Sequence, residues 1–245
     1  MTEIRFYGHH PPGIEERHLP GRLIVIEGTD GVGRSTQVGL LKEWLEDRGY
    51  AVLDTGLVRS ELAGPGIKQA KQGHTLDPIT LNLFYATDFW DRLERQIIPA
   101  LRAGMVALVD RYIFSLIARA SVRGVSRSWM EHLYGFALVP DRTIYLAIDV
   151  ETLLPRVLAR GFDYWESGLD FLGERDVYRS FEKYQTELLA EFLRLAHDHH
   201  FEVVDARGSI AAVFEVLRAK VEEAVQGMEV DRLAAPATGS ESPSA

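Results

Sequence analysis

The chain has no cysteine, which excludes a disulfide framework, a thiolate zinc site and a cysteine nucleophile. No apolar run approaches the roughly 18 residues that span a bilayer. The first twenty residues, MTEIRFYGHHPPGIEERHLP, hold acidic side chains and prolines instead of the apolar stretch of a secretion signal, so the expectation is a cytoplasmic protein that stays out of membranes. Cationic excess is missing too. With 27 Lys and Arg against 36 Asp and Glu, the formal charge is −9, the wrong sign for gripping a nucleic-acid polymer through a broad basic surface. An anionic small molecule must therefore be met by a local cationic pocket. The rest of the composition, 46% hydrophobic and 26% charged over 245 residues, suits one large globular domain.

Five short β-branched, apolar runs recur at 23–27 (LIVIE), 51–55 (AVLDT), 106–110 (VALVD), 143–148 (TIYLAI) and 201–205 (FEVVD). Most are continuous instead of alternating, as in strands covered on both faces by helices. Helical spacing separates them over 36–48, about 77–103, 127–138, 151–160, 175–198 and 209–226. This β-then-α order predicts an α/β fold with an open, doubly wound sheet of about five parallel strands, helices on both faces and ligands at the carboxyl ends of the strands. The small, polar, proline-bearing end of the chain, from 228 to 245, is expected to be a disordered tail.

Residues 28–36, GTDGVGRST, meet the phosphate-loop pattern G-x-x-x-x-G-K-[ST] at Gly28, Gly33 and Ser35, with Arg34 where lysine is expected. The stretch follows the LIVIE strand and opens the first helical pattern, the context such a loop requires. Its backbone amides would turn toward one concavity at a helix N-terminus, so Gly28, Thr29, Asp30, Gly31, Val32, Gly33, Arg34, Ser35 and Thr36 are the expected ATP-binding residues. Ser35 would hold Mg²⁺ through its hydroxyl, and Asp30 would face either the metal or the sugar of an acceptor. The alternative is a glycine-rich strand-to-helix turn with no ligand. Arg34 keeps the charge but exchanges a compact ammonium for a planar fork that can bridge phosphate oxygens, so nucleotide binding should survive more readily than fast transfer.

A second element is Asp110, delivered at the end of the VALVD run and followed at once by Arg111 and Tyr112. The acid can hold metal-bound water and the arginine a phosphate. The alternative is a structural ion pair at a strand end.

With VIEGTDGVGRSTQ, LNLFYATDFWDR, VALVDRYIFS and PDRTIYLAID in this order, the chain resembles the thymidylate kinases, a family of P-loop nucleoside monophosphate kinases, over about residues 22–226. The resemblance implies an arm at 1–21, a kinase domain at 22–227 with a lid at about 156–175, and usually a homodimer. It implies transfer of the γ-phosphoryl group of ATP, with Mg²⁺, to a deoxynucleoside monophosphate, dTMP becoming dTDP. Asp30 matches a loop aspartate near the acceptor sugar and Phe84 the aromatic on which the base stacks. Asp110 and Arg111 match the pair that serves metal-bound water and the acceptor phosphate, and Ser115 a serine of the same motif. Arg156 and Arg160 fall in the lid as charge-stabilising arginines, and the VVDARGS turn flanks the adenine.

Several positions depart from the family pattern. Arg34 replaces the loop lysine. Asp88 replaces the arginine that reads the thymine edge, and a carboxylate there would suit an amino-bearing base. Leu116 and Arg119 stand for polar and tyrosine side chains of the acceptor pocket, and Asp163 is followed by Tyr164 where an arginine is usual. The Arg-Glu-Pro stretch is absent, with Arg59 the nearest substitute cation. The rival readings are a kinase for an amino-bearing monophosphate and a nucleotide-binding protein with little transfer activity.

Other clusters are not promoted to sites. His197, His199 and His200 read as a solvated helix end ahead of a metal site. Phe162, Tyr164 and Trp165 fit a lid or local packing equally. His9 and His10 read as part of a flexible arm.

Overall fold

The computed structural model describes residues 5–12, 14, 19–73 and 76–229. Residues 1–4, 13 and 15–18 of the expected arm, and 230–245 of the expected tail, lie outside that set. The five apolar runs form β1 (Arg22–Glu27), β2 (Val52–Gly56), β3 (Val106–Asp110), β4 (Arg142–Ala147) and β5 (Glu202–Asp205). All pair in parallel, in the order β2-β3-β1-β4-β5.

The continuous apolar character of the strands has a direct cause. On β1, Leu23 and Val25 point into one core while Ile24 and Ile26 point into a second core across the sheet. Between the strands lie α1 (Arg34–Asp47), α2 (Gly64–Gly73), α3 (Pro78–Arg92), α4 (Ile98–Arg102), α5 (Ile113–Val122), α6 (Arg127–Leu133), α7 (Val150–Arg160), α8 (Val177–Asp198) and α9 (Ile210–Val225). The first core takes its side chains from α2, α3, α5, α6 and most of α8, and the second from α1, α7 and α9. No described helix is long and apolar enough to cross a membrane. The long helical pattern over 77–103 is interrupted: a π-helical turn at Leu93–Ile97 separates α3 from α4. The segment expected to be a flexible arm is paired along its backbone, with Tyr7 N donating to Ala137 O (3.1 Å) and Val139 N to Arg5 O (2.8 Å).

Strand order positions the site. The chain runs from β1 out to β2, back to β3 beside β1, and then to β4 on the other side, so the connections diverge around β1. At such a point the carboxyl ends of neighbouring strands open a crevice. Ile26 stands opposite Asp110 there.

Asp88 corrects an expectation. Instead of facing a base, it is wholly buried with Arg92 (0% exposed each). One oxygen accepts from Arg92 Nε and Val58 N, both at 3.0 Å, and the other from Ser60 N at 2.9 Å. A carboxylate wholly buried and engaged by three donors of the chain itself does not face a ligand. Its role is to pin the 57–63 turn to α3. Asp88→Ala would leave the Arg92 guanidinium buried without a counter-charge, so the expected loss is about 3–5 kcal/mol in chemical denaturation. A loss under about 1 kcal/mol would exclude this role.

Candidate active site

The loop after β1 owes its path to its glycines. Gly33 caps α1 in the left-handed conformation, φ 100°, which only glycine adopts without strain. At Gly31 a Cβ would come within 2.8 Å of Val157 Cγ2, so the glycine lets α7 lie directly on the loop. Arg160 of α7 reaches this spot, its Nη2 within 3.7 Å of the same Cβ position, and pairs with Glu166. Arg156, expected to stabilise transferred charge, instead donates to three backbone carbonyls: Val32 (3.2 Å), Ala206 (3.1 Å) and Arg207 (3.4 Å). Those bonds tie the loop to the turn after β5.

Two ion pairs interleave where β1 and β3 end. Arg34 Nε pairs with Asp110 Oδ1, and its Nη1 donates to Gly28 O and to Thr29 O (3.0 Å). In return Arg111 of the β3 end pairs with Asp30 of the loop, which also takes Arg119 from α5. Arg111 sits at φ 70°, a left-handed conformation that costs a residue with a side chain about 1–2 kcal/mol. Its N–H bonds Ile26 O at 3.0 Å. The partners reveal what this turn achieves: Asp110 faces α1 while the next residue faces Asp30. Burial, then the charge of Arg119, lower the Arg111 guanidinium to about 9, so it remains a cation at neutral pH. Its buried Nε has no protein acceptor.

Ser35 Oγ donates to Asp110 Oδ2 at 3.1 Å. One hydroxyl and one carboxylate are a fitting protein share for Mg²⁺, a hard cation that takes its other oxygens from phosphates and water. Among the described residues no group of three His, Asp or Glu forms a fuller cage.

Beside Asp30 opens a cavity of about 300 Å³. Arg111, Arg119, Arg123 and Lys71 bring positive charge to it, and Leu76, Leu81, Tyr85 and Phe171 supply apolar wall. On α3, positions 78, 81, 82 and 85 face the cavity, the helical spacing of one face. The aromatic that α3 brings to the wall is therefore Tyr85. Phe84 points elsewhere, 39% exposed and against Gly66, where a Cβ would lie 3.2 Å from its ring. Of the expected lid aromatics, Tyr164 and Trp165 line the cavity, while Phe162 packs on Phe181 and Tyr178. Arg59 lies outside the lining and pairs with Asp54 at 2.9 Å. His197 is exposed beside Asp198, and the His199 ring packs on Phe114.

Ser115 is likewise not a ligand-facing group: 1% exposed, it donates through Oγ to Glu27 Oε2 at 2.6 Å. Glu27, wholly buried at the end of β1, also accepts from Tyr112 N (2.9 Å) and Ser115 N (3.2 Å). It thereby caps the N-terminus of α5 from another strand, work that no side chain at the helix's own cap position performs. Burial raises its pKa above the ordinary carboxylate value, opposed by the Ser115 and Tyr112 bonds. Gln185 of α8, fully buried, accepts from Thr29 Oγ1 (2.6 Å) and donates to Glu166 O (2.9 Å), joining the loop to the lid. Gln185 was invisible as one polar letter among several in FEKYQTE; an acid closing an apolar strand was the one available signal for Glu27.

Comparison with known proteins agrees with this layout. The family model for thymidylate kinase matches residues 26–216. A probable thymidylate kinase 2 of Saccharolobus solfataricus is 39% identical, over 76% of this chain and 89% of its own length. A probable thymidylate kinase of Pyrococcus abyssi is 29% identical, over 86% of this chain and all of its own. A thymidylate kinase of Caldanaerobacter subterraneus is 30% identical over the same shares.

Ser115→Ala removes a donor from a buried carboxylate, so stability should fall by about 1–3 kcal/mol in thermal denaturation. The acceptor KM should stay within about twofold, since no contact with substrate is lost. A tenfold rise in KM at unchanged stability would return Ser115 to the binding residues.

Proposed function

The chain belongs to the thymidylate kinase family, and from that premise we propose that it transfers the γ-phosphoryl group of ATP to a deoxynucleoside monophosphate, dTMP yielding dTDP. The observation that carries the reading is the interleaving of Arg34 with Asp110 and of Arg111 with Asp30. Two neighbouring strand ends each offer one acid and one guanidinium, the arrangement needed to hold a donor triphosphate and an acceptor phosphate face to face.

In this reading the amides of residues 28–36 and the N-terminus of α1 receive the ATP phosphates, and the Arg34 guanidinium turns from the loop carbonyls to phosphate oxygens. Ser35 and Asp110 would hold Mg²⁺, which neutralises phosphate charge when bound. Arg111 orients the acceptor phosphate, its unpartnered Nε adding a donor. Arg160, lying over Gly31, supplies charge as the phosphoryl group moves. No covalent enzyme intermediate is required; positioning and charge neutralisation carry the rate. Residues 22–227 form the kinase domain with a lid at about 156–175. The resemblance also implies a cytoplasmic homodimer, for which Ile79 and Leu83, exposed one helical turn apart, offer apolar surface.

A panel of nucleoside monophosphates with ATP and Mg²⁺, read by ADP release, should give turnover with dTMP. Robust turnover of another monophosphate with none of dTMP rejects the acceptor, and calorimetric ATP binding without turnover of any leaves a nucleotide-binding protein. Arg34→Lys should match or exceed the parent rate, because the ammonium restores a compact phosphate contact. Arg34→Ala should lose about 100-fold in kcat, as when one transition-state donor is removed. An unchanged rate in Arg34→Ala would strip Arg34 of its part in transfer.

A further inference from the structure

With Asp88 locked in the core, the acceptor base must be read by other groups, and the cavity's polar inventory leaves few. Arg123 uses all five of its N–H groups on the protein: both oxygens of Asp170 (2.7 and 3.1 Å), Trp165 O (2.8 Å), Tyr184 Oη (2.9 Å) and Arg119 O (3.2 Å). Glu166 pairs with Arg160, and Asp30 with Arg111 and Arg119. That cluster marks the phosphate end, beside the loop.

The same cavity has an apolar wall from Leu76, Leu81 and Tyr85, and Lys71 and Asn82 also line it. Lys71, near the end of α2 and five residues before Leu76, has no carboxylate within ion-pair distance among the described residues. Its ammonium stands 5.7 Å from the centre of the Trp165 ring, and Trp165 Nε1 bonds its carbonyl at 3.2 Å. Burial, then the charge of Arg119, lower its pKa, opposed by the charges of Asp163 and Glu166. Asn82, 8% exposed, donates Nδ2 to Pro78 O at 2.8 Å. A carbonyl only accepts, so the atom facing Pro78 is the nitrogen, and Oδ1 keeps its lone pairs open.

We propose that Lys71 and Asn82 read the acceptor base, as a donor and an acceptor matched to a carbonyl oxygen next to a ring N–H. Thymine, uracil and guanine carry that edge. Cytosine and adenine present an amino group beside a bare ring nitrogen, which sets donor against donor and acceptor against acceptor and leaves buried groups unpaired. The inference rests on the phosphotransfer reading and reverses the preference for an amino-bearing base that Asp88 suggested in the sequence.

The test is steady-state kinetics, with calorimetric binding alongside, for dTMP and dCMP on the parent chain, Lys71→Met and Lys71→Glu. Methionine keeps the alkyl stem against Trp165. Lys71→Met should raise KM and Kd for dTMP by about 10- to 50-fold, with kcat within about threefold and the ATP KM unchanged. Lys71→Glu, which accepts from an amino group, should shift the dCMP to dTMP ratio of kcat/KM at least about tenfold toward dCMP. Asn82→Asp, which keeps the acceptor, should disturb dTMP less than Asn82→Leu. The inference is overturned if Lys71→Met leaves dTMP within about twofold, if it weakens dTMP and dCMP equally as a phosphate counter-ion would, or if the parent prefers dCMP. A parent chain that turns over no monophosphate sinks the phosphotransfer reading itself, whereas an active parent with an indifferent Lys71 sinks only the base-reading role.

Discussion

The crossed ion pairs at the ends of β1 and β3 are the constraint on which the rest of the site depends. Each strand exit carries one acid and one arginine, and each acid is paired with the other strand's arginine. These groups are largely withdrawn from water, where an unpaired charge is far more costly than at the surface. The pairing keeps four charges in place within a few ångströms and orients every guanidinium toward an oxyanion. A phosphate oxygen has the charge and the acceptor geometry of the carboxylate oxygen it would replace, so the cations need little rearrangement to receive it. This also explains how arginine functions at position 34: its fork reaches two loop carbonyls and Asp110 at once.

Behind the charged layer lies a quieter one that fixes its positions. Glu27 caps α5, which carries Arg119, and holds the turn at Tyr112 just after Arg111. Arg156 ties the loop to the β5 exit, and Gln185 ties the loop to Glu166. None of these groups needs to touch a nucleotide to matter. Each removes a freedom from a residue that would, and precise placement is worth more to phosphoryl transfer than any single added contact.

The strands, the loop and the Asp110-Arg111 pair were legible because each has a pattern with one physical cause: continuous apolar runs between two helical layers, glycines at a tight turn, an acid at a strand exit. Helices α2 and α5 were not. The first, GPGIKQAKQG, is rich in the residues that weaken helices, and the second, IFSLIARASV, is buried almost all round and so shows no polar face. Side-chain direction was the harder problem. Tyr85 and Phe84 are adjacent letters, and only the 78, 81, 82, 85 spacing tells which faces the cavity. Asp88 lies four residues before Arg92, a spacing at which its own helix can supply the counter-charge, but the spacing does not tell a buried pair from an exposed one.

Charge counting alone would treat every arginine near the cavity as a phosphate ligand, and the hydrogen-bond inventory separates them instead. Arg123 and Arg156 are committed to the chain's own carboxylates, carbonyls and hydroxyls, so their charge holds lid and loop together. Arg111 and Arg119 share one carboxylate between two cations, and Lys71 has no carboxylate within ion-pair distance among the described residues. The cavity thus keeps a local positive surplus inside a chain of net negative charge, concentrated on the groups with donors to spare. In the proposed reading a dianionic phosphate and a carbonyl edge use those donors, whereas a neutral or cationic ligand would leave them buried and unpaired. A net negative chain with a local positive surplus favours one small anion over a polyanion, at the place where the strand exits meet.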